Sequence, residues 1–242
     1  MQWFFHNEEN DIFVIHIMIS NLLKNIFSYL FPPICIICGN EDTKINICNI
    51  CSRSLPLTRE MRRPWLFSLY RYRDEAVTTC IRHLKNFPDA EFVDQLLEQK
   101  QIMITGWTIG LARFHNCSEI ILIPIPLHNS RFLDRGYNQA EIIARSYQKI
   151  LLQKIKIPVR IETTLIKKSK YTDKQALITD RTKRLKNIHG AFEIQNAWKA
   201  KLSTHALAII IDDVTTTGGT LDEVKAIIEP HVKTVGAFTL AH

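Results

Sequence analysis

The chain predicts an α/β domain on a mostly parallel sheet with helices on both faces, preceded by a small four-cysteine ribbon. Three observations carry this expectation. Segments of strand and helix character alternate after residue 64, the order that a parallel sheet with crossover helices requires. A mostly branched apolar run, Leu207 to Ile211, ends in Asp212-Asp213 and a Thr/Gly loop, as a buried strand leading into a ligand site does. Cys35-x2-Cys38 and Cys48-x2-Cys51 lie nine residues apart near the N-terminus.

With 242 residues, 46% of them hydrophobic, the chain can bury one good core plus an appendage too small to fold on apolar burial alone. The expected boundaries are an extension at 1–17, an amphipathic helix and ribbon at 18–60, and the α/β domain at 61–242. The net charge of +7 permits phosphorylated ligands or nucleic acid without choosing between them. Its distribution is uneven: Lys149 to Lys186 holds twelve basic residues against three acids, a local +9 that leaves the remainder slightly acidic.

Residues 1–11 carry Glu8, Glu9 and Asp11 where a secretory signal needs a basic flank, so export is not expected and a cytoplasmic location is. The apolar stretch Ile12 to Phe31 is interrupted by His16, Asn21, Lys24 and Asn25 and falls short of the ~20 uninterrupted apolar residues that span a bilayer. No stable membrane insertion is expected. Ile19, Leu22, Leu23, Ile26, Phe27, Leu30 and Phe31 fall at helical spacing and give one apolar face, for packing against the domain or for a membrane surface. Because that helix begins at Met18, a truncation starting there is expected to keep folding and ligand binding. Loss of either in melting and titration measurements would refute this.

Each CxxC pair forms a knuckle, and four thiolates from two knuckles converge on one tetrahedral ion, for which zinc is the expected metal. Two disulfides are the alternative, disfavoured in a reducing compartment. A four-cysteine set leaves no open coordination position, so the metal is expected to be structural. Pro32-Pro33 ends the preceding helix, and Gly39 follows the first knuckle where the turn is sharp. Cys80 and Cys117 stand alone and read as ordinary semi-buried residues.

Trp65 to Tyr72 reads as a strand, Glu75 to Lys85 as a helix, and Asn86-Phe87-Pro88-Asp89 as the turn out of it. Glu91 to Phe114 is helical in character. Ile120 to Ile125 reads as a second buried strand, its hydrogen bonding limited by Pro124 and Pro126. A helix follows from Asn138 to Lys154 with Ile143, Tyr147, Ile150 and Leu151 on one face, then a strand from Val159 to Ile166. After the basic loop come the strand Leu207 to Ile211, a helix from Leu221 to Ile228 and a last strand, Thr234 to Leu240.

At the end of the Leu207–Ile211 strand, adjacent carboxylates of Asp212 and Asp213 can accept from two vicinal hydroxyls. The loop Thr215, Thr216, Thr217, Gly218, Gly219 and Thr220 supplies hydroxyls and backbone N–H groups without bulk. It also opens a helix whose N-terminus favours an anion. This is the chemistry of a sugar-phosphate site; a solvated Asp-Asp turn is the bland alternative. The block resembles the signature of type I phosphoribosyltransferases, which bind 5-phosphoribosyl-1-pyrophosphate (PRPP).

The segment Ile123-Pro124-Ile125-Pro126-Leu127-His128, continued by Arg135-Gly136-Tyr137-Asn138-Gln139-Ala140, resembles the ComF family, with its P-x-P-L strand end and R-G-[FY]-N-Q-A. Phe31-Pro32-Pro33 before the knuckles, His83-Leu84-Lys85, Arg184 to Asn187, Gly190-Ala191-Phe192 and the Asp212-Asp213 loop lie in the family order. The resemblance runs from about Met18 to the C-terminus. It implies a type I phosphoribosyltransferase-like fold, PRPP bound with magnesium, a structural zinc, and an association with DNA uptake in natural competence. It puts Arg131, Arg135 and Gly136 near the pyrophosphate and makes Lys167 through Arg184 the loop that closes over it, with Lys168, Lys174, Arg181 and Arg184 as cations for the leaving group. Gln175-Ala176-Leu177 departs from the usual Q-x-G-L of that loop. For these cations, and for Lys85, a solvated surface or a helix C-terminus is the plain alternative.

Three functions follow from this reading. One is transfer of the phosphoribosyl group to an acceptor that the sequence does not name, as in nucleotide metabolism. A second is a PRPP-binding module that handles single-stranded DNA alongside competence proteins, using the basic segment and Tyr137, Tyr147 and Tyr171. A purine-pathway amidotransferase fragment ranks last, because the chain has no N-terminal nucleophilic cysteine or glutaminase domain.

Overall fold

The computed structural model describes residues 33–41, 43–58, 63–168, 190–195 and 202–242. The chain divides into two units, Met1–Cys51 and Ser52–His242. The expected helix at 19–31 lies outside the described residues, as does most of the basic loop.

In the larger unit five strands pair in parallel. They are β1 (Leu66–Tyr70), β2 (Glu119–Pro124), β3 (Val159–Ile161), β6 (Ala206–Val214) and β7 (Thr234–Ala241), in the order β1-β7-β6-β2-β3. A separate antiparallel pair joins β4 (Ile166–Lys168) to β5 (Phe192–Ile194). The parallel strands are apolar on both faces because helices cover both: Ile120 to Ile123 and Leu207 to Ile211 are all 0% exposed. Register runs Ile120↔Leu207 to Pro124↔Ile211 on one side of β6 and Leu207↔Thr234 to Val214↔Ala241 on the other. The two buried hydroxyls between β1 and β7, Ser68 and Thr239, satisfy each other at 2.7 Å.

Three of the helices of this sheet begin where an Asp or Asn side chain caps them. Asp74 accepts from Val77 N–H to start α2 (Glu75–Asn86), which follows the short α1 (Asn49–Ser54). Asp89 accepts from Phe92 N–H to start α3 (Ala90–Glu98). Asn138 caps α6 (Gln139–Lys154) by accepting from Ala140 N–H. On α6, Ile143, Tyr147 and Leu151 are fully buried, and Tyr147 meets Phe238 of β7 at a centroid distance of 4.7 Å.

Three local features differ from the sequence expectation. The helical stretch Glu91 to Phe114 is two helices, α3 and α4 (Gln101–Phe114), broken at Gln99-Lys100. Val93, Leu97, Ile104, Thr108 and Ala112 are all buried and keep helical phase across the break, so periodicity conceals it. The strand expected over Val159 to Ile166 is also two pieces: after β3 the chain turns at the polar Glu162-Thr163-Thr164, and β4 leaves the sheet to pair with β5. A short helix, α5 (Asn129–Arg135), stands where no element was expected; its cap is His128, which accepts from Ser130 N–H.

The topology chooses the ligand side. From β2 the chain moves outward to β3, whereas β6, on the other side of β2, leads away to β7. The strand order therefore reverses between β2 and β6, and a crevice opens at their carboxyl ends.

Candidate functional site

In that crevice lies a cavity of about 280 Å³. Asp212 and Asp213 occupy the last turns of the pleat in β6, one residue beyond the apolar run, and each carboxylate accepts from the next backbone N–H at 2.8 Å (Asp213 N and Val214 N). Lys85, near the end of α2, pairs with Asp213 at 3.4 Å. Burial, and then the charge of Asp213, push the Asp212 carboxyl well above the usual carboxylate range, with Lys85 acting the other way.

Across the cavity, β2 ends in Pro124-Ile125-Pro126. Asn138 locks that end to the start of α6: its Nδ2 donates to the Ile125 carbonyl at 3.0 Å while its Oδ1 caps the helix. Tyr137 donates to the Leu84 carbonyl at 3.1 Å and so holds the turn that carries Lys85. Arg131 and Arg135 of α5 and Lys168 of β4 also line the cavity. Burial and the nearby Arg131 lower the Lys168 pKa, opposed by Asp212 and Glu223. Lys168 also lies 5.1 Å over the Phe192 ring. The lining therefore sets four cations against two carboxylates, suiting a ligand that is anionic and carries hydroxyls.

The loop after β6 runs into α7 (Gly219–Ile228). Thr215 is buried, with its N–H on the Ala241 carbonyl at 3.0 Å, and Thr216 and Thr220 line the cavity. Gly218 caps α7 in the left-handed region at φ 82°, where a side chain would be strained and would meet Arg63 at 2.9 Å.

In the smaller unit, the four cysteine sulfurs lie within 4.8 Å of one another, and Cys38 Sγ and Cys48 Sγ are 3.9 Å apart. A tetrahedral ion with metal–sulfur bonds of about 2.3 Å separates its ligands by about 3.8 Å, whereas a disulfide needs about 2.05 Å. The four cysteines thus form a cluster able to hold a metal such as zinc. For Cys35, burial pushes the thiol up, but backbone hydrogen bonds around Cys48, Cys38 and Ile37 outweigh it and bring it to about 6. Burial and the three neighbouring thiols push Cys51 up. Gly39, at φ 71°, makes the left-handed turn of the first knuckle, with its N–H on the Cys35 carbonyl at 2.9 Å.

Over 107 residues, 44% of its length, the chain is 30% identical to Competence protein F of Haemophilus influenzae. The chain is similar to the ComF family. The match spans 43% of that relative, so the chain aligns with less than half of its length. No family model matches the chain.

In this ComF-like chain, Asp212, Asp213, Thr216, Thr220 and Arg135 come together around one cavity. Thr215, Thr217, Gly218 and Gly219 shape the adjoining loop and helix start without lining it. Gly136 ends α5 in the left-handed region, and no atom lies within 4 Å of where its Cβ would be, so the turn itself is what requires glycine there. Lys174 lies outside the described residues. Tyr72, Asn138 and Gln139 also line the cavity, although sequence reasoning gave them no role. For Tyr72 the signal was available: it follows β1 at the same carboxyl edge of the sheet. Among the described residues no helix is long and apolar enough to cross a membrane.

Proposed function

We propose that this chain binds PRPP with magnesium in the cavity between β2 and β6, as a phosphoribosyltransferase-like protein of the ComF type acting in natural competence. The observation that carries the reading is the Asp212-Asp213 pair, set at a strand end between a glycine-opened helix start and a group of cations. The carboxylates accept from the ribose hydroxyls. The Thr215–Thr220 loop and the first turn of α7 donate to the 5′-phosphate. Arg131, Arg135 and Lys168 face the diphosphate, where charge builds if pyrophosphate leaves. Magnesium bound with the diphosphate would neutralise part of its charge. At about 280 Å³, just under the usual range of about 300–1,000 Å³ for ligand pockets, the cavity suits a sugar phosphate without its acceptor. The four cysteines hold zinc in a closed, structural set.

The run of twelve basic residues between Lys149 and Lys186 favours a second reading, in which PRPP is bound without turnover and the segment tracks single-stranded DNA. One experiment separates the two. The protein is incubated with PRPP, magnesium and a panel of nucleobases and amines, pyrophosphate is measured, and PRPP affinity is read by calorimetry. Acceptor-dependent pyrophosphate release supports a transferase, and binding without release supports the module. Absence of PRPP binding rejects both.

A further inference from the structure

Arg63 precedes β1 and lies 159 positions from Asp222, yet its guanidinium sits on the loop that opens α7. Nη2 donates to the Thr217 carbonyl at 3.2 Å, Nη1 pairs with the Asp222 carboxylate, and Nη1 would be 2.9 Å from a Cβ on Gly218. Asp222 closes the ring by donating its N–H to the Gly218 carbonyl at 2.8 Å. The Arg63 guanidinium also lies 5.6 Å from the Trp65 ring centroid, and Lys225 of α7 lies 5.7 Å from the same ring.

The charge arrangement is unusual for a helix start meant to hold an anion. Asp222 and Glu223 both fall in the first turns of α7, where acids stabilise the bare helix but repel a phosphate. Glu223 is engaged elsewhere, accepting from Ala191 N–H at 2.8 Å. Asp222 is matched by Arg63. In a trans peptide the carbonyl and the following N–H point opposite ways, so holding the Thr217 carbonyl also turns the Gly218 N–H away from Arg63.

We infer that Arg63 is a positioning residue of the phosphate loop: it cancels Asp222, keeping the start of α7 attractive to a phosphate, and fixes the Thr217–Gly218 peptide. The inference rests on the PRPP reading and adds to it a residue that never lines the cavity. Its test is a charge cycle on the full chain, titrating magnesium PRPP by calorimetry and checking each variant's fold by thermal melting. Arg63→Gln should weaken PRPP about three- to tenfold. Arg63→Gln with Asp222→Asn should recover most of that loss, because the uncompensated carboxylate is gone. Asp222→Asn alone should bind at least as tightly as the wild type, and it keeps the test alive if Arg63→Gln does not fold. Unchanged affinity in Arg63→Gln, a double variant no better than the single one, or weaker binding by Asp222→Asn would each overturn the inference while leaving the PRPP site standing. A wild type that does not bind PRPP would reject the site, and the role of Arg63 with it.

Discussion

Asp212→Asn combined with Asp213→Asn should abolish PRPP binding and leave the chain folded. The amides keep the size of the side chains and an oxygen for the backbone N–H groups of Asp213 and Val214. What they lose is the charged acceptor. Each charge-assisted hydrogen bond removed in a partly dry site costs about 1.5–3 kcal/mol, roughly ten- to hundred-fold in affinity per acid. Asp212→Asn alone carries an opposite effect on the empty protein. Its carboxyl is raised by burial and by Asp213, so the folded chain holds that proton more tightly than the unfolded chain does. Such a group stabilises fully below its unfolded pKa of about 3.9, and the contribution is lost as pH rises through the folded value. Above the unfolded value, Asp212 therefore works against the unliganded fold. Asp212→Asn should raise the melting temperature by roughly 2–4 °C for each kcal/mol relieved, with the gap to wild type widening as pH rises above the unfolded value. PRPP affinity of the wild type should rise with pH as Asp212 ionises. If the site also serves DNA uptake, the double variant should lower transformation without changing zinc content. Unaltered PRPP affinity in a folded double variant would remove the basis for calling this chain PRPP-dependent.

The acids were readable because their signal is local. Five consecutive apolar residues, four of them branched, make a strand buried on both faces, and two acids after them have one place to go in an open α/β sheet. The cysteine cluster was readable for the same reason, each knuckle being set by two-residue spacing. Elements that depend on distant partners were not. β4 follows β3 closely in sequence, and only its pairing with Phe192–Ile194 tells it apart. The break between α3 and α4 preserves helical phase, so no periodicity test detects it. Asn138 is a helix cap by residue type, but its second bond, to Ile125, joins two motifs through tertiary structure. Arg63 lies furthest from any local signal: nothing near Pro64 or Trp65 in sequence points to a loop beginning at Thr215.

One zinc per chain should be found on Cys35, Cys38, Cys48 and Cys51 in protein prepared without added metal, and replacing any one of these cysteines should destabilise the ribbon. Among its described residues the smaller unit has little else to hold it. Its described residues include few buried apolar side chains, chiefly Ile47 at 0% exposure, and the six-residue helix that carries Cys51 is too short to persist alone. Four sulfurs within 4.8 Å of one another also repel once ionised, so a cation is needed for them to remain together as thiolates. Metal binding then becomes folding free energy, about 10–16 kcal/mol in small structural zinc sites near neutral pH. A single Cys→Ser change should accordingly lower zinc content well below stoichiometric and open residues 33–51 to proteolysis, and a strong chelator should do the same to the wild type. Metal analysis by mass spectrometry and limited digestion read both effects. A ribbon that is metal-free and still protease-resistant would show that thiol packing alone holds it, and would end the zinc assignment.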